Sequence, residues 1–152
     1  GLYARLTANE IIDYFGSLYS VSSNTLKERK AYLYDLLDMN GFANKRIGQL
    51  STGMKQKVSI CRTMIHDPEI LILDEPTSGL DVITAASIIQ LIRDYKAQNK
   101  TVIFSSHIMG EVDLLSDRLA IIHNGTLKHQ STMEEFRKEM EGQSLTGAFI
   151  KI

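Results

Sequence analysis

The stretch Ile70-Leu71-Ile72-Leu73-Asp74-Glu75-Pro76-Thr77-Ser78-Gly79-Leu80-Asp81 decides the reading of this chain. Four consecutive aliphatic residues stopped by two acids predict a strand buried on both faces, as the strands of a parallel sheet are. Ligands of open α/β sheets gather beyond the carboxyl ends of the strands, and this strand delivers two adjacent carboxylates to that edge. Side chains alternate along a strand, so Asp74 and Glu75 point different ways and serve different roles. Asp74 suits the shell of a Mg²⁺ ion, and Glu75 suits polarising an attacking water. An isolated acidic pair in such a place is about as often a loop cap beside a solvated neighbour. Pro76, Ser78-Gly79 and Asp81 at fixed offsets tip the balance toward a site.

Upstream of the strand, Met54, Val58, Cys61 and Ile65 fall at helical spacing after Ser51, and Asp67-Pro68 closes that helix because the residue before a proline avoids helical angles. Nearer the start, Thr7-Ala8-Asn9-Glu10 forms a capping box that opens a helix. Ile11, Ile12, Tyr14, Phe15, Leu18 and Tyr19 give that helix one broad apolar face, and the serines from Ser20 to Ser23 end it. Thr25-Leu26-Lys27-Glu28 repeats the device, with Leu33, Leu36 and Leu37 continuing the period until Gly41 offers a left-handed stop. Downstream, the pattern predicts a helix over 82–97, a strand over 101–104, a short helix over 108–115 and a strand over 118–122. Strands alternating with helices imply an α/β fold with a parallel sheet. Asn124-Gly125 then turns the last strand back into 126–130 as a hairpin, and Thr132-Met133-Glu134-Glu135 opens a final helix with a third capping box.

Composition sets the outer bounds. With 152 residues, 43% hydrophobic and 23% charged, the chain is long enough to bury one core without disulfides or a structural metal. The single Cys61 cannot form an intrachain bridge, and its place on an apolar helix face predicts an inert core residue. A formal net charge of -1 gives no global field for nucleic acid or an anionic membrane surface. None of the four histidines belongs to a compact metal motif, and Ser51 lacks the glycine two residues before it that a nucleophile elbow needs.

Beyond these patterns, Leu73 to Asp81 resembles the Walker B segment and D-loop of ATP-binding-cassette (ABC) nucleotide-binding domains. Leu50-Ser51-Thr52-Gly53-Met54-Lys55-Gln56-Lys57 is similar to that family's signature motif, departing from its commonest form at Thr52 and Met54, where Gly and Gln are usual. Ser105-Ser106-His107 is similar to its switch histidine, and Leu6 to Glu10 to the start of its helical subdomain. The resemblance implies an incomplete P-loop NTPase core of parallel strands flanked by helices, with an N-terminal α-helical subdomain. Residues 1–66 would be that subdomain with the signature motif, and residues 67–152 the part carrying Walker B, D-loop and switch histidine. It also looks similar to bacterial sodium-efflux-type and drug-export cassettes.

What the resemblance implies about function is specific. The whole protein would be a Mg²⁺-dependent ATPase subunit that powers export through a transmembrane permease. It would sit in the cytoplasm at the inner face of the membrane, pair with a second nucleotide-binding domain and bind no nucleic acid. Asp74 would help hold Mg²⁺, Glu75 would act as general base, and His107 would contact the γ-phosphate and orient the water. Ser51, Thr52 and Gly53 would bind the ATP held by the partner, and Asp81 would communicate across the dimer. The physical basis for the signature stretch stands by itself, because a helix start offers unpaired amides and positive potential to an anion, and glycine admits close approach.

None of the ten glycines is followed by lysine, so the chain contains no Walker A loop. Alone, it is expected to bind ATP weakly or not at all, and the start at Gly1 reads as a cut through a larger domain. In the family the Walker A strand lies between the strands at 101–104 and 118–122. Without it two apolar edges would face a slot, predicting pairing with another chain or local rearrangement. The competing functional class is an interaction module without catalysis that docks a partner through its helical half.

Overall fold

A computed structural model describes residues 3–139 and residue 147 of the chain. They fall into two compact units, one ending at Ser105 and the other beginning at Ser106. The division expected near residue 66 lies inside the first unit, between its third helix and first strand.

The first unit opens with helices α1 (Ala8–Leu18), α2 (Ser23–Leu36) and α3 (Thr52–Met64). Thr7 caps α1 with the predicted reciprocal box, its hydroxyl accepting from the Glu10 amide while the Glu10 carboxylate accepts from the Thr7 amide at 2.7 Å. Only part of the expected apolar face is used. Ile11 and Ile12 are buried against α2 and α3, whereas Tyr14, Leu18 and Tyr19 stand exposed. Tyr19 stacks flat on His66, 3.7 Å between ring centres, and so shields its ring from one side rather than filling the core.

Two predicted boundaries shift in α2. The cap is Ser22, not Thr25, because the Ser22 hydroxyl accepts from the Thr25 amide and so starts the helix three residues earlier. The left-handed stop is Asp38, at φ 49°, not Gly41. The chain leaves the helix at Leu37, and an aspartate tolerates the left-handed region better than most side chains. Helix α3 begins and ends where the spacing places it, with Val58, Ile60, Cys61 and Met64 buried. Burial pushes the Cys61 thiol up to about 12, which keeps it a protonated core residue.

Strand β1 (Ile70–Asp74) pairs in parallel with β2 (Thr101–Ser105), joined by helix α4 (Val82–Ala97), which packs on β2. This crossover is the α/β unit the alternation predicted. Burial on both faces of β1 is not observed. Leu71 and Leu73 are buried, while Ile70 and Ile72 are 59% and 68% exposed, with Ile103 of β2 beside them at 55%. One face of the pair is covered, and among the described residues nothing shields the other. Fully burying one such side chain contributes roughly 1.5–3 kcal/mol, so Leu71 and Leu73 carry the sheet's share of this core.

The second unit holds α5 (Met109–Leu115), β3 (Arg118–His123), β4 (Thr126–Thr132) and α6 (Met133–Glu139). Asn124 and Gly125 both take positive φ, 50° and 71°, and make the tight turn between antiparallel β3 and β4. The pairing carries one irregularity, at Ile121/Ile122, where the register shifts. Thr132 and Glu135 close the third capping box, and Phe136 of α6 packs on Ile121 and Leu119. The strands therefore lie in two separate two-stranded sheets, parallel in the first unit and antiparallel in the second.

Candidate functional site

The carboxyl end of β1 gathers three residues. In the parallel register Asp74 lies opposite Ser105, and both sit on the exposed face of the pair. The Ser105 hydroxyl donates to Asp74 Oδ1 at 2.5 Å and accepts from the backbone amide of Glu75 at 2.9 Å. This bond fixes one oxygen of Asp74 against the neighbouring strand and leaves the other free of it. Glu75 leaves the strand at φ 42°, in the left-handed region that a glutamate rarely adopts. Its carbonyl accepts from the Ser78 amide, the Thr77 carbonyl accepts from Leu80, and Gly79 takes φ 71°. That turn is why Ser78-Gly79 had to follow the acids at a fixed offset. Asp74 ends the strand and Glu75 begins the turn, so strand alternation does not govern the pair.

The second cluster lies where α3 and α4 begin. Ser51 caps α3, its Oγ accepting from the Met54 amide at 3.2 Å, which leaves its own proton available to an acceptor. Ser51 and Thr52 are exposed. A Cβ added at Gly53 would stand 3.4 Å from Leu80 Cδ2, so the signature glycine lies directly against the loop that follows β1. Asp81 caps α4 with both oxygens, one accepting from the Thr84 amide and the other from the Thr84 hydroxyl. The Thr84 amide, its hydroxyl and the charge of Lys57 outweigh a slight burial effect and hold the Asp81 carboxyl below its usual range. Ser51 and Asp81 are therefore both working helix caps, and the start of α3 is exposed, with amides that suit an anion.

His107 belongs to the second unit, exposed on the segment between β2 and α5. The segment is braced by Ser106, whose hydroxyl accepts from the Ile108 amide at 3.0 Å and donates to the buried Glu111 carboxylate at 2.9 Å. Sequence reasoning missed two residues here. Ser105 was read only as part of the motif around His107, although its place at the end of a strand parallel to β1 was a signal that it would meet Asp74. Glu111 gave no signal at all.

Comparison with known proteins places these features. The family model described as ABC transporter matches residues 4–78, which includes the signature stretch and both acids of β1. The ABC transporter ATP-binding protein NatA of Bacillus subtilis (strain 168) is 39% identical over 150 residues. This chain belongs to the family of ABC transporter ATP-binding proteins. The NatA match takes in 99% of this chain and 61% of that protein. The bacitracin transport ATP-binding protein BcrA of Bacillus licheniformis is 36% identical, over 91% of this chain and 44% of its own length. A solved ATP binding subunit of an ABC transporter superposes with TM-score 0.92 at 27% identity, covering 99% of this chain and 64% of the other. The chain thus spans less than two thirds of each of these cassette proteins. Their similarity over nearly all of it supports the α/β, P-loop NTPase reading of the fold. Among the described residues no helix is long and apolar enough to cross a membrane.

Proposed function

We propose that the protein containing this chain hydrolyses ATP at the interface of two nucleotide-binding domains and powers a transmembrane permease that exports an ion or small molecule. The observation that carries the reading is the pair of acids at the carboxyl end of β1, with Glu75 turned out of the strand and Asp74 fixed beside it. Glu75 accepts a proton from water as that water attacks the γ-phosphate. General-base groups of this kind contribute about 100- to 10,000-fold to rate. The relative named for bacitracin transport supports a small-molecule cargo.

The residues present suit Mg²⁺. An exposed carboxylate with one oxygen already hydrogen-bonded offers the hard donor that this ion takes directly or through water. Held there by Asp74, the ion would supply positive charge to offset that of the phosphates. This chain's own work is to keep Asp74 oriented and to keep Glu75 out of the strand line. Ser51, Thr52 and Gly53 present the start of α3 to the γ-phosphate of ATP held by the second domain. Asp81 carries the link across that interface through the cap it makes on α4, and His107 contacts the γ-phosphate and orients the water. A Gly-rich phosphate loop is supplied by the part of the longer protein outside this chain. The helical half, residues 1–66, docks the permease at the inner face of the membrane, and no nucleic acid takes part. The chain by itself does not turn over ATP.

The test is phosphate release by the full-length protein and its Glu75→Gln variant with Mg²⁺ and ATP. Loss of turnover with retained ATP binding is expected. Turnover equal to the parent removes Glu75 as the base.

A further inference from the structure

Ser105 closes β2 on the exposed face of the strand pair, in line with Thr101 and Ile103. The position is solvent-facing, so burial does not demand a serine there. A serine brings one proton and two lone pairs. Here the proton goes to the Asp74 carboxylate and a lone pair receives the Glu75 amide, so one oxygen atom ties the side chain of one acid to the backbone of the next. The tie falls where the chain is strained, at φ 42° for Glu75, and such a conformation persists only when its surroundings hold it.

We propose that Ser105 is a positioning residue, clamping Asp74 and Glu75 from the neighbouring strand in the mutual geometry that hydrolysis requires. The inference rests on the catalytic reading of those two acids. Ser105 touches neither ATP nor water in the reaction. It acts by fixing where one carboxylate lies and where the other departs from the sheet. Removing the hydroxyl frees both adjustments together, and water can satisfy the exposed groups left behind, so stability changes little while geometry loosens.

The experiment compares Ser105→Ala, Ser105→Thr, Glu75→Gln and the double variant Ser105→Ala with Glu75→Gln in the full-length protein. Steady-state ATP hydrolysis is measured together with hydrogen exchange at the Glu75 amide. Ser105→Ala is expected to lower kcat about tenfold or more with KM changed less than about twofold, because misplacement of about an ångström costs that much or more. Threonine keeps the hydroxyl and suits a strand, so it restores most of the loss. Amide exchange at Glu75 speeds up in the alanine variant and not in the threonine one. On the Glu75→Gln background the alanine change has a smaller effect than in the parent, because the part that runs through the base is already lost and only the part through Asp74 remains.

Parental kcat in Ser105→Ala, with turnover lost in Glu75→Gln, overturns the role of Ser105 and leaves the role of Glu75 standing. Full turnover in Glu75→Gln overturns the catalytic reading and this inference with it, a pattern distinct from the first. Should Ser105→Ala fail to fold, Ser105→Cys, with its weaker donor and acceptor, takes its place, and an unchanged kcat there overturns the proposal.

Discussion

Strand β1 is entered and left through the same local pattern. Asp67-Pro68 precedes it and Glu75-Pro76 follows it, these being the two prolines of the chain, and both acids take positive φ, 56° and 42°. Their surroundings differ. The Asp67 carboxylate is gripped by Lys100 at 2.6 Å, Arg29 at 3.0 Å and the Tyr95 hydroxyl at 3.3 Å. Arg29 also donates to the carbonyls of Met64 and Ile65, so α2, the end of α3, α4 and the start of β1 converge on one carboxylate. At Glu75 the anchor falls on the backbone amide, and the side chain is exposed. An acid before a proline is a structural joint at Asp67, where the carboxylate itself gathers the partners; at Glu75 the Ser105 hydroxyl holds the backbone, which suits the base role proposed for it.

The sharpest way to break this comparison is to neutralise both acids. In the full-length protein Glu75→Gln should lower ATP turnover by about 100-fold or more, the range that loss of a general base produces. Asp67→Asn should leave turnover of the folded protein within about twofold, since a joint away from the reacting atoms affects stability first. Equal losses in the two variants, measured by phosphate release, would show that the joint also sets the site.

Stability should respond in the opposite sense. Asp67→Ala leaves Lys100, whose side chain is only 7% exposed, and Arg29 without their shared acceptor. Breaking a fully buried ion pair costs about 3–5 kcal/mol, but the Asp67 side chain is 42% exposed and solvent screens part of the interaction. A loss of about 2 kcal/mol in urea unfolding is therefore expected. Adding Lys100→Met should recover part of it, because the stranded cation is then gone; no recovery would mean the loss came from the turn alone.

The pH dependence of the joint follows from the same contacts. Burial alone would raise the Asp67 carboxyl, but the Lys100 hydrogen bond and the charges of Arg29 and Lys100 outweigh it and hold it below the ordinary 3.8. A carboxyl lowered on folding contributes stability that is present above its unfolded value and is lost as pH falls through its folded value. The stability gap between the parent and Asp67→Asn should thus be constant from neutral pH down to about 5 and close progressively below 3.8. Glu10 and Glu135 are lowered too, by the Thr7 and Thr132 amides of their capping boxes, and lose their contributions in the same acid range. They do so in both proteins, so the gap isolates Asp67. A gap that widens on acidification would contradict the assignment.

These two turns also mark how much was legible in the sequence. Local signals carried far: Thr7 and Thr132 cap where their spacing with Glu10 and Glu135 predicts, α4 runs over 82–97, and Asn124-Gly125 makes its turn. Those features depend on neighbours within about four residues. Two local competitions went the other way, Ser22 displacing Thr25 as a cap and Asp38 displacing Gly41 as a stop, where two residues offered the same chemistry a turn apart. Nonlocal features were beyond reach. The partners of Asp67 stand 28 to 38 positions away, and the hydroxyl that ties Asp74 to Glu75 comes from a strand 30 residues on. The exposed face of Ile70, Ile72 and Ile103 was misread because an apolar run states what a strand is able to bury, not what arrives to cover it. The roles of the site residues rested on motif resemblance, which named Ser51 and Asp81 without revealing that both are also working helix caps.

The smallest effect isolates what the two turns share. Asparagine tolerates the left-handed region better than glutamine, and both are neutral amides, so the difference between Asn and Gln variants at one position reports mainly the backbone. Since a left-handed residue with an ordinary side chain carries a cost of about 1–2 kcal/mol, a fraction of this, about 0.5 kcal/mol in favour of Asn, is expected at each position. Glu75→Asn should therefore be more stable than Glu75→Gln by the same increment that separates Asp67→Asn from Asp67→Gln, read as a shift in urea midpoint with unchanged slope. Adding Ser105→Ala to the two Glu75 variants sharpens the point. If the serine holds the turn, its removal lets the backbone relax out of the left-handed region, and the preference for Asn should shrink at position 75 while staying intact at 67. A preference for Asn that persists at 75 without the hydroxyl would mean that Pro76 and the Ser78 and Leu80 hydrogen bonds suffice to set the turn.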